Sequence, residues 1–409
     1  MTRTRTTRLE RGRSALGPAL ELVHTGQAPT RAVLTAELGV TRATAGAVAA
    51  ELEALGLITV DAHPTAPVGS QGRPSHRLAV DPAGPVALAA QIHADGYRAA
   101  LVGLGGRIVA TAPGCGTVDA DPAQIISEVV AAGAELLRSS GRRCVGAGLA
   151  VPSAVAEPDG TALNPLHLAW EAGAPVRDTF RACLARAQVT GADGATVTGF
   201  AANDLNVAAL AEHRHGAGRG ARHLLVVGTG HHGVGGALVL DGRLHTGSSG
   251  LALEVGHLTV DPEGRPCHCG SRGCLDVETD PAALLAAAAR PASPGTSLLT
   301  QAAELLRTEY GADPAVREAA GRLIDRLGLG LAGLVNILNP DRIVLAGLHR
   351  ALVEADGERL RGVVADRSLW GRSGSVPVLP SRLAHNSLVG AAESAWQPVL
   401  DDPLAVLGG

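Results

Sequence analysis

Lysine is absent from this 409-residue chain, so all 35 of its basic residues are arginines. A Walker-type phosphate loop and a Schiff-base enzyme both need a lysine side chain, and the sequence therefore excludes both classes. Aromatic residues are also scarce, with three Trp, two Tyr and two Phe. This scarcity argues against a surface on which the bases of RNA or single-stranded DNA would stack.

Export and membrane signals are also missing from the sequence. The first 13 residues contain five Arg and no apolar segment follows them, which does not resemble a signal peptide. No apolar run of 18 residues is free of charge, so we expect no membrane-spanning helix. Three of the six Cys are clustered, which fits one metal site in a reduced cytoplasm better than a disulfide framework. We therefore expect a cytoplasmic protein.

Charge is distributed unevenly along the chain. Residues 1–80 hold nine Arg and six acidic residues, a net charge of +3, whereas the remainder holds 26 Arg and 33 acidic residues, a net charge of −7. A basic N-terminal module on an acidic body suggests that only the first module meets a polyanion.

The N-terminal module has the sequence pattern of a winged helix-turn-helix. Residues 14–26 predict a first helix, and Thr30 and Thr41 are suitable N-caps for two further helices. Residues 57–60 and 77–80 predict two short strands with a Gly- and Pro-rich loop between them. Three helices followed by a β-hairpin are the order of elements in a winged helix-turn-helix.

The third helix of this module would enter the major groove of double-stranded operator DNA. Arg42, Thr44 and Ala47 lie off its core face, and the first two can reach phosphates or base edges. Arg73 in the loop between the strands can lie in a minor groove. Gly46 and Ala47 offer no side-chain hydrogen bonds, so specificity would depend on Arg42, Arg73 and DNA shape. The alternative function of the module is a small helical cap for protein contacts.

From about residue 85 the pattern changes to two blocks of short strands and helices, which predicts two α/β lobes with a cleft between them. Helices are predicted at 122–138, 298–309 and 314–338. We expect three domains: the winged helix-turn-helix, a first lobe, and a second lobe whose C-terminal helix returns to the first. Their expected bounds are 1–82, 83–199 and 200–409.

A cluster of metal-ligand residues occupies a Gly-rich segment of the second lobe. Cys267, Cys269 and Cys274 fall within eight residues, and His257 precedes them. Four such ligands make a closed tetrahedral Cys₃His set, which predicts one structural zinc ion per chain. His268 is an alternative fourth ligand, and three free buried thiols are the alternative without a metal.

Three motifs in combination resemble the ROK family of repressors, open reading frames and sugar kinases. They are Asn203-Asp204, Glu254-Val-Gly-His257 and Cys267-x-Cys-Gly-x-x-Gly-Cys274. With the helix-turn-helix in front, the resemblance covers nearly the whole chain. It implies an actin-like, hexokinase-like duplicated α/β fold that holds a sugar between its lobes.

The resemblance also implies which side chains hydrogen-bond the sugar. They are Asn164, Asn203, Asp204, Glu254, His257 and Asp276. Carboxylates accept hydrogen bonds from vicinal hydroxyls, and an amide both donates and accepts. His257 would bind zinc through one ring nitrogen and the sugar through the other. An alternative role for Asp204 is that of a carboxylate at the N-terminus of a helix. Trp170 can pack either on a sugar face or in the core.

The phosphate loops of the family's kinases are altered here. The first, Asp-x-Gly-Gly-Thr, aligns with residues 91–95 (Gln-Ile-His-Ala-Asp), which contain no glycine. The second aligns with residues 231–237, although a register shift would restore Gly228-Thr229-Gly230. The third, a Gly-Gly pair, is Ala346-Gly347. Backbone N–H groups approach phosphates most closely at glycine, so these changes argue against ATP binding.

We therefore expect a sugar-responsive DNA-binding regulator of carbohydrate genes, acting as a repressor and assembled as a homodimer or homotetramer. It would have no catalytic residue, and Asp204 would be a vestigial general base. One alternative is an active ROK sugar kinase with a regulatory DNA-binding head. The other is a regulator whose cleft no longer binds any sugar.

Overall fold

The computed structural model describes residues 15–61, 75–93, 96–115, 121–163, 165, 168–230, 233–369, 372 and 376–408. Within these ranges, no helix is long and apolar enough to cross a membrane. Arg73 and Asn164, predicted to contact DNA and sugar respectively, lie outside the described residues.

The N-terminal module consists of three helices and a two-stranded antiparallel hairpin. They are α1 (Leu16–His24), α2 (Arg31–Leu38), α3 (Arg42–Ala54), β1 (Ile58–Asp61) and β2 (Arg77–Val80). The predicted caps are confirmed: Thr30 Oγ1 accepts the Val33 amide at 3.3 Å, and Thr41 Oγ1 accepts the Thr44 amide at 3.2 Å. Gly39 ends α2 with a φ of 60°, the left-handed conformation that glycine adopts without steric cost. The chain can therefore turn sharply into α3.

The first lobe is a five-stranded sheet with helices against it. Its elements are β3 (Val86–His93), β4 (Gly96–Gly103), β5 (Arg107–Cys115), α4 (Pro122–Ser140), β6 (Cys144–Val151), α5 (Val176–Arg186) and β7 (Gly199–Asn203). The strand order is β5-β4-β3-β6-β7, with antiparallel pairs on the β5 side of β3 and parallel pairs beyond it. β3 and β6 are buried almost throughout, as expected for strands covered on both faces.

The second lobe repeats this arrangement. Its strands are β8 (His223–Thr229), β9 (Val234–Leu240), β10 (Arg243–Leu244), β11 (Arg342–Ala346) and β12 (Val378–Pro380), in the order β10-β9-β8-β11-β12. As in the first sheet, the pairs on one side of a central strand, here β8, are antiparallel, and those on its other side are parallel. The two sheets are therefore a duplicated unit.

Five helices accompany the second sheet. They are α7 (Leu275–Thr279), α8 (Pro281–Ala287), α9 (Leu298–Glu309), α10 (Pro314–Leu338) and α11 (Leu348–Arg367). The bounds of α9 and α10 agree with those predicted from the sequence. Their N-caps are Ser297 and Asp313, whose side chains accept the first backbone amides of each helix.

Two helices connect the lobes. α6 (Asp204–His215) follows β7, and α12 (Asn386–Asp401), followed by the short α13 (Pro403–Leu407), packs against β3, β6 and α6. α6 and α12 approach at backbone distance, because an ideal Cβ on Gly390 would lie 1.8 Å from the carbonyl oxygen of Val207. Trp396 on α12 is fully buried and donates from Nε1 to the carbonyl of Val102 at 3.1 Å. The C-terminal helix thus lies on the sheet of the first lobe.

Candidate functional site

A cleft of about 880 Å³ lies between the two lobes. This is within the usual range for small-molecule sites, roughly 300–1,000 Å³. Five of the six residues predicted to bind sugar line it: Asn203, Asp204, Glu254, His257 and Asp276. Of the two roles considered for Trp170, the structure shows core packing, since the residue is 7% exposed and belongs to the core of the first lobe.

Asn203 and Asp204 stand where β7 ends and α6 begins. The amide oxygen of Asn203 accepts the backbone N–H groups of Leu205 and Asn206, both at 3.0 Å, and so caps the helix. Its Nδ2 donates to the carbonyl of Ser153 at 3.3 Å. Asn203 is therefore committed largely to fixing the start of α6. The sequence did not predict this role, although an Asn before a helix signals it.

Asp204 is the first residue of α6 and has the helix N-terminal role considered for it, while its contact with a sugar stays a prediction. Its Oδ1 accepts the Leu205 amide at 2.8 Å, as a carboxylate at a helix N-terminus can. Burial in the cleft raises the pKa of Asp204 to about 6, and the negative charge of Glu254 adds to this while the backbone bond opposes it. A ligand that donates hydrogen bonds to this carboxylate would therefore stabilise its ionised form.

Glu254 and Asp276 face the cleft from the second lobe. Loss of hydration raises the pKa of Glu254; His257 lowers it and Asp276 raises it further. Asp276 is 3% exposed, and its Oδ1 accepts the Val234 amide at 2.7 Å. Asp276 therefore anchors the start of β9, a structural role that the sequence did not predict. Its contact with a sugar stays a prediction.

The four predicted metal ligands converge in the second lobe. The Nδ1 atom of His257 lies 3.8 Å from Cys267 Sγ, and Cys269 Sγ lies 3.8 Å from Cys274 Sγ. All four donor atoms lie within 4.8 Å of one another. A tetrahedral ion with Zn–S bonds of about 2.3 Å places its sulfur ligands about 3.8 Å apart. His268, the alternative fourth ligand, is exposed and is not part of this cluster.

The chemistry of this donor set fits zinc. Burial and the neighbouring thiols raise the pKa of Cys274 to about 12, so a divalent cation would have to displace its proton. Gly273 makes the loop possible, because it has a φ of 61° and a Cβ there would lie 1.4 Å from the carbonyl oxygen of Asp261. His257 turns Nδ1 towards Cys267, which leaves Nε2 for the cleft.

Residues of the regions corresponding to the phosphate loops line the cleft, and Thr229 among them is held by the protein's own contacts. Thr229 is buried, and its Oγ1 accepts the Leu348 amide at 2.6 Å. A Cβ on Gly347 would lie 1.8 Å from the carbonyl oxygen of Thr229, so the end of β8 is packed against the start of α11. Thr229 is therefore tied to the fold. Residues 94–95 and 231–232, which complete the first two loops, lie outside the described residues.

The part of the cleft between α9 and α11 carries two arginines. Arg307 pairs with Glu304 on α9, and Arg350 pairs with Glu354 on α11, with Nε to Oε1 at 2.9 Å. Each positive charge is thus balanced by a carboxylate one turn away, which weakens its attraction for phosphate.

The predicted DNA-contacting residues lie at the start of α3. Arg42 and Ala47 are exposed, whereas Thr44 is half-buried and its hydroxyl hydrogen-bonds that of Thr41 at 2.9 Å. Ala45, Val48 and other apolar residues occupy the opposite face and are buried. Arg42 is therefore the side chain of this helix start that is free to reach a polyanion.

Comparison with known proteins matches residues 91–397 to the ROK family. The chain is 35% identical over 161 residues, 36% of its length, to a glucokinase of Halalkalibacterium halodurans. It is 30% identical over 210 residues, 48% of its length, to the DNA-binding transcriptional dual regulator NagC of Escherichia coli. These alignments span 47% and 49% of the two relatives, about half of each.

Solved structures confirm the fold. A ROK family transcriptional regulator described as a homologue of the E. coli MLC protein superposes with a TM-score of 0.73 at 21% identity, covering 98% of this chain and 100% of that one. A ROK family glucokinase from Streptomyces griseus, in complex with glucose and AMPPNP, superposes with a TM-score of 0.64 at 24% identity, covering 76% and 99%. The duplicated actin-like, hexokinase-like fold predicted from the sequence is therefore correct, and the chain belongs to the ROK family.

Proposed function

We propose that this protein is a sugar-responsive DNA-binding regulator that represses carbohydrate-metabolism genes. One observation carries the proposal: a single chain joins three helices and a hairpin, the element order of a winged helix-turn-helix, to a cleft lined by five sugar-binding candidates. Thr229 of the phosphate-loop region is tied to the fold. Relatives named N-acetylglucosamine repressor and xylose repressor support this function.

Sugar recognition in this proposal uses both lobes. Asp204 presents its carboxylate from the start of α6, directly after the last strand of the first lobe, and Glu254 and His257 lie across the cleft in the second lobe. A bound zinc ion would fix the ring of His257, so that Nε2 points at a ligand hydroxyl. A sugar that bridges these groups would favour one spacing of the lobes. It would alter DNA binding only if the two spacings differ in affinity for the sugar.

The affinity for sugar should depend on pH through Asp204. Its pKa is raised to about 6, and sugar hydroxyls donate to the ionised form, so protonation below pH 6 should weaken binding. We expect affinity to be about tenfold lower at pH 5 than at pH 7.5, because one pH unit below the pKa leaves about a tenth of the groups ionised. Titration calorimetry at both pH values measures this.

Asp204→Asn is the matched control for this pH dependence. The variant should bind sugar weakly at both pH values and should lose most of the slope. A slope that survives in Asp204→Asn would assign the titration to another group, and unchanged affinity at both pH values would remove Asp204 from the sugar site.

DNA binding should depend on Arg42. Arg42→Ala removes one exposed positive charge at the start of α3, so we expect weaker operator binding and a smaller salt dependence, with the slope reduced by about one. Fluorescence anisotropy at several salt concentrations measures both. Arg138→Ala, an exposed arginine near the end of α4, is the control and should leave both unchanged. Equal effects of the two substitutions would contradict the predicted orientation of the module on DNA.

Selection of genomic DNA fragments on the purified protein tests the proposed function directly. We expect enrichment of one palindromic site at about 0.1 M salt, where specific binding persists and non-specific binding is weak. Release of that fragment is then tested with glucose, xylose, N-acetylglucosamine and the 6-phosphates of the two hexoses. No enriched site, together with ATP turnover that Asp204→Asn abolishes, would favour the sugar kinase instead.

A further inference from the structure

A buried carboxylate joins three separate parts of the chain at the C-terminal end of α6, the end away from the cleft. Glu393 on α12 is fully buried, and its Oε2 accepts from His24 Nε2 at 2.8 Å and from Arg214 at 2.7 Å. Its Oε1 accepts from His215 Nε2 at 2.9 Å. His24 belongs to α1 of the N-terminal module, whereas Arg214 and His215 form the last turn of α6. We call these four residues the Glu393 cluster.

The Glu393 cluster is satisfied by its own hydrogen bonds. The backbone N–H of Gly105 donates to His24 Nδ1 at 3.0 Å, so this nitrogen accepts and Nε2 donates to Glu393. Arg214 also donates to Gln397, one turn further along α12, at 2.5 Å. Burial alone would raise the pKa of Glu393, but the two histidines hold it well below its usual range. A cation would have to displace the arginine, so the cluster is a structural junction and not a metal site.

α6 connects this junction to the cleft. Asp204 is its first residue and His215 its last, and twelve helical residues span about 18 Å. The Cβ position of Gly390 would lie 1.8 Å from the Val207 carbonyl, so α6 cannot move without moving α12. A displacement at the Asp204 end of a rigid helix therefore reaches Glu393.

The N-terminal module is held at the same place. Arg219, just beyond α6, donates to the carbonyl of Thr25 at the end of α1 at 2.6 Å. The backbone of Gly17 lies against the end of α12, where an added Cβ would be 2.5 Å from the Leu400 carbonyl oxygen. A separate contact from Arg143 to the carbonyl of Leu55, at 2.9 Å, involves neither α6 nor α12.

We infer that the Glu393 cluster transmits the state of the cleft to the winged helix-turn-helix, with α6 as the connecting element and His24 as the positioning residue of the DNA-binding module. The inference rests on the proposed function. It deepens that function by naming the contact whose arrangement a sugar would bias.

The test compares four proteins: wild type, His24→Leu, His24→Gln and Arg143→Ala. Gln retains a donor for Glu393, Leu removes it, and Arg143→Ala breaks a contact between module and body outside the cluster. The affinity of each for the selected DNA fragment is measured with and without glucose, xylose or N-acetylglucosamine. We expect the wild-type ratio of the two affinities to be about 5–150-fold, and that of His24→Leu to fall to about twofold or less.

The other variants make the result specific. His24→Gln and Arg143→Ala should keep most of the wild-type ratio, and His24→Leu should still bind sugar as the wild type does, because its cleft is unchanged. Loss of stability alone would not alter this ratio in the folded fraction. If His24→Leu keeps the wild-type ratio, or Arg143→Ala loses it equally, the inference is overturned.

A measurement on the unmodified protein covers the case in which His24→Leu does not fold. Sugar binding should slow amide hydrogen exchange at the start of α6 and change it in α1. A response in α6 with none in α1 would overturn the inference and leave the sugar site intact. A wild-type protein that binds DNA but responds neither to the three sugars nor to the two hexose 6-phosphates would instead refute the sugar-responsive function, and the coupling with it.

Discussion

Cys274→Ser should release the proposed zinc ion and remove the sugar response together. Cys274 is fully buried, and its sulfur lies 3.8 Å from that of Cys269, so Ser leaves an incomplete set of ligands. His257 supplies a zinc ligand and a sugar-binding candidate from one ring, so both sites should fail. We expect zinc to fall from one ion per chain to near zero, and the melting temperature to fall by about 5–10 °C. Elemental analysis and calorimetry measure these.

Cys183→Ser is the control for this substitution. Cys183 is also buried, but it lies in the first lobe and its sulfur accepts from Arg186 at 3.0 Å, a contact that a hydroxyl can reproduce. It should retain zinc and sugar binding. One zinc ion per chain in purified Cys274→Ser, with an unchanged melting temperature, would show that the four side chains are not a metal site.

Gly390→Ala should destabilise the protein strongly, although it places a better helix former within a helix. The added Cβ would lie 1.8 Å from the carbonyl oxygen of Val207, a backbone atom that moves only if α6 and α12 separate. We expect a loss of about 3 kcal/mol, because the strain of overpacking exceeds the gain in helix propensity of about 1 kcal/mol. Scanning calorimetry measures the loss, and sugar binding should weaken as Asp204 moves with α6.

The same substitution at Gly362 should have the opposite sign. Gly362 lies within α11, and nothing stands within 4 Å of the position its Cβ would take. Gly362→Ala should therefore stabilise by about 0.5–1 kcal/mol through helix propensity and a less flexible unfolded chain. Equal shifts for the two variants would mean that α6 and α12 are not packed at backbone distance.

The sequence by itself determined the features that depend on residues close together in the chain. Thr30 and Thr41 cap helices whose amides lie three residues away, and α9 and α10 have the bounds predicted from the sequence. The convergence of the four candidate metal ligands was also predictable, because three of them lie within eight residues in a Gly-rich loop. Such contacts close short loops, so local sequence specifies them at little entropic cost.

Only the tertiary structure decided how distant residues are used. Asp276, predicted to contact a sugar, accepts the Val234 amide. Thr229, which belongs to a region predicted as a phosphate loop, accepts an amide at the start of α11. His24 and Glu393 are 369 positions apart and carry no shared motif. Their pairing exists because a buried carboxylate must be neutralised by whatever donors the packing of α1, α6 and α12 brings to it. Nothing in the sequence around either residue therefore indicates that the two side chains pair.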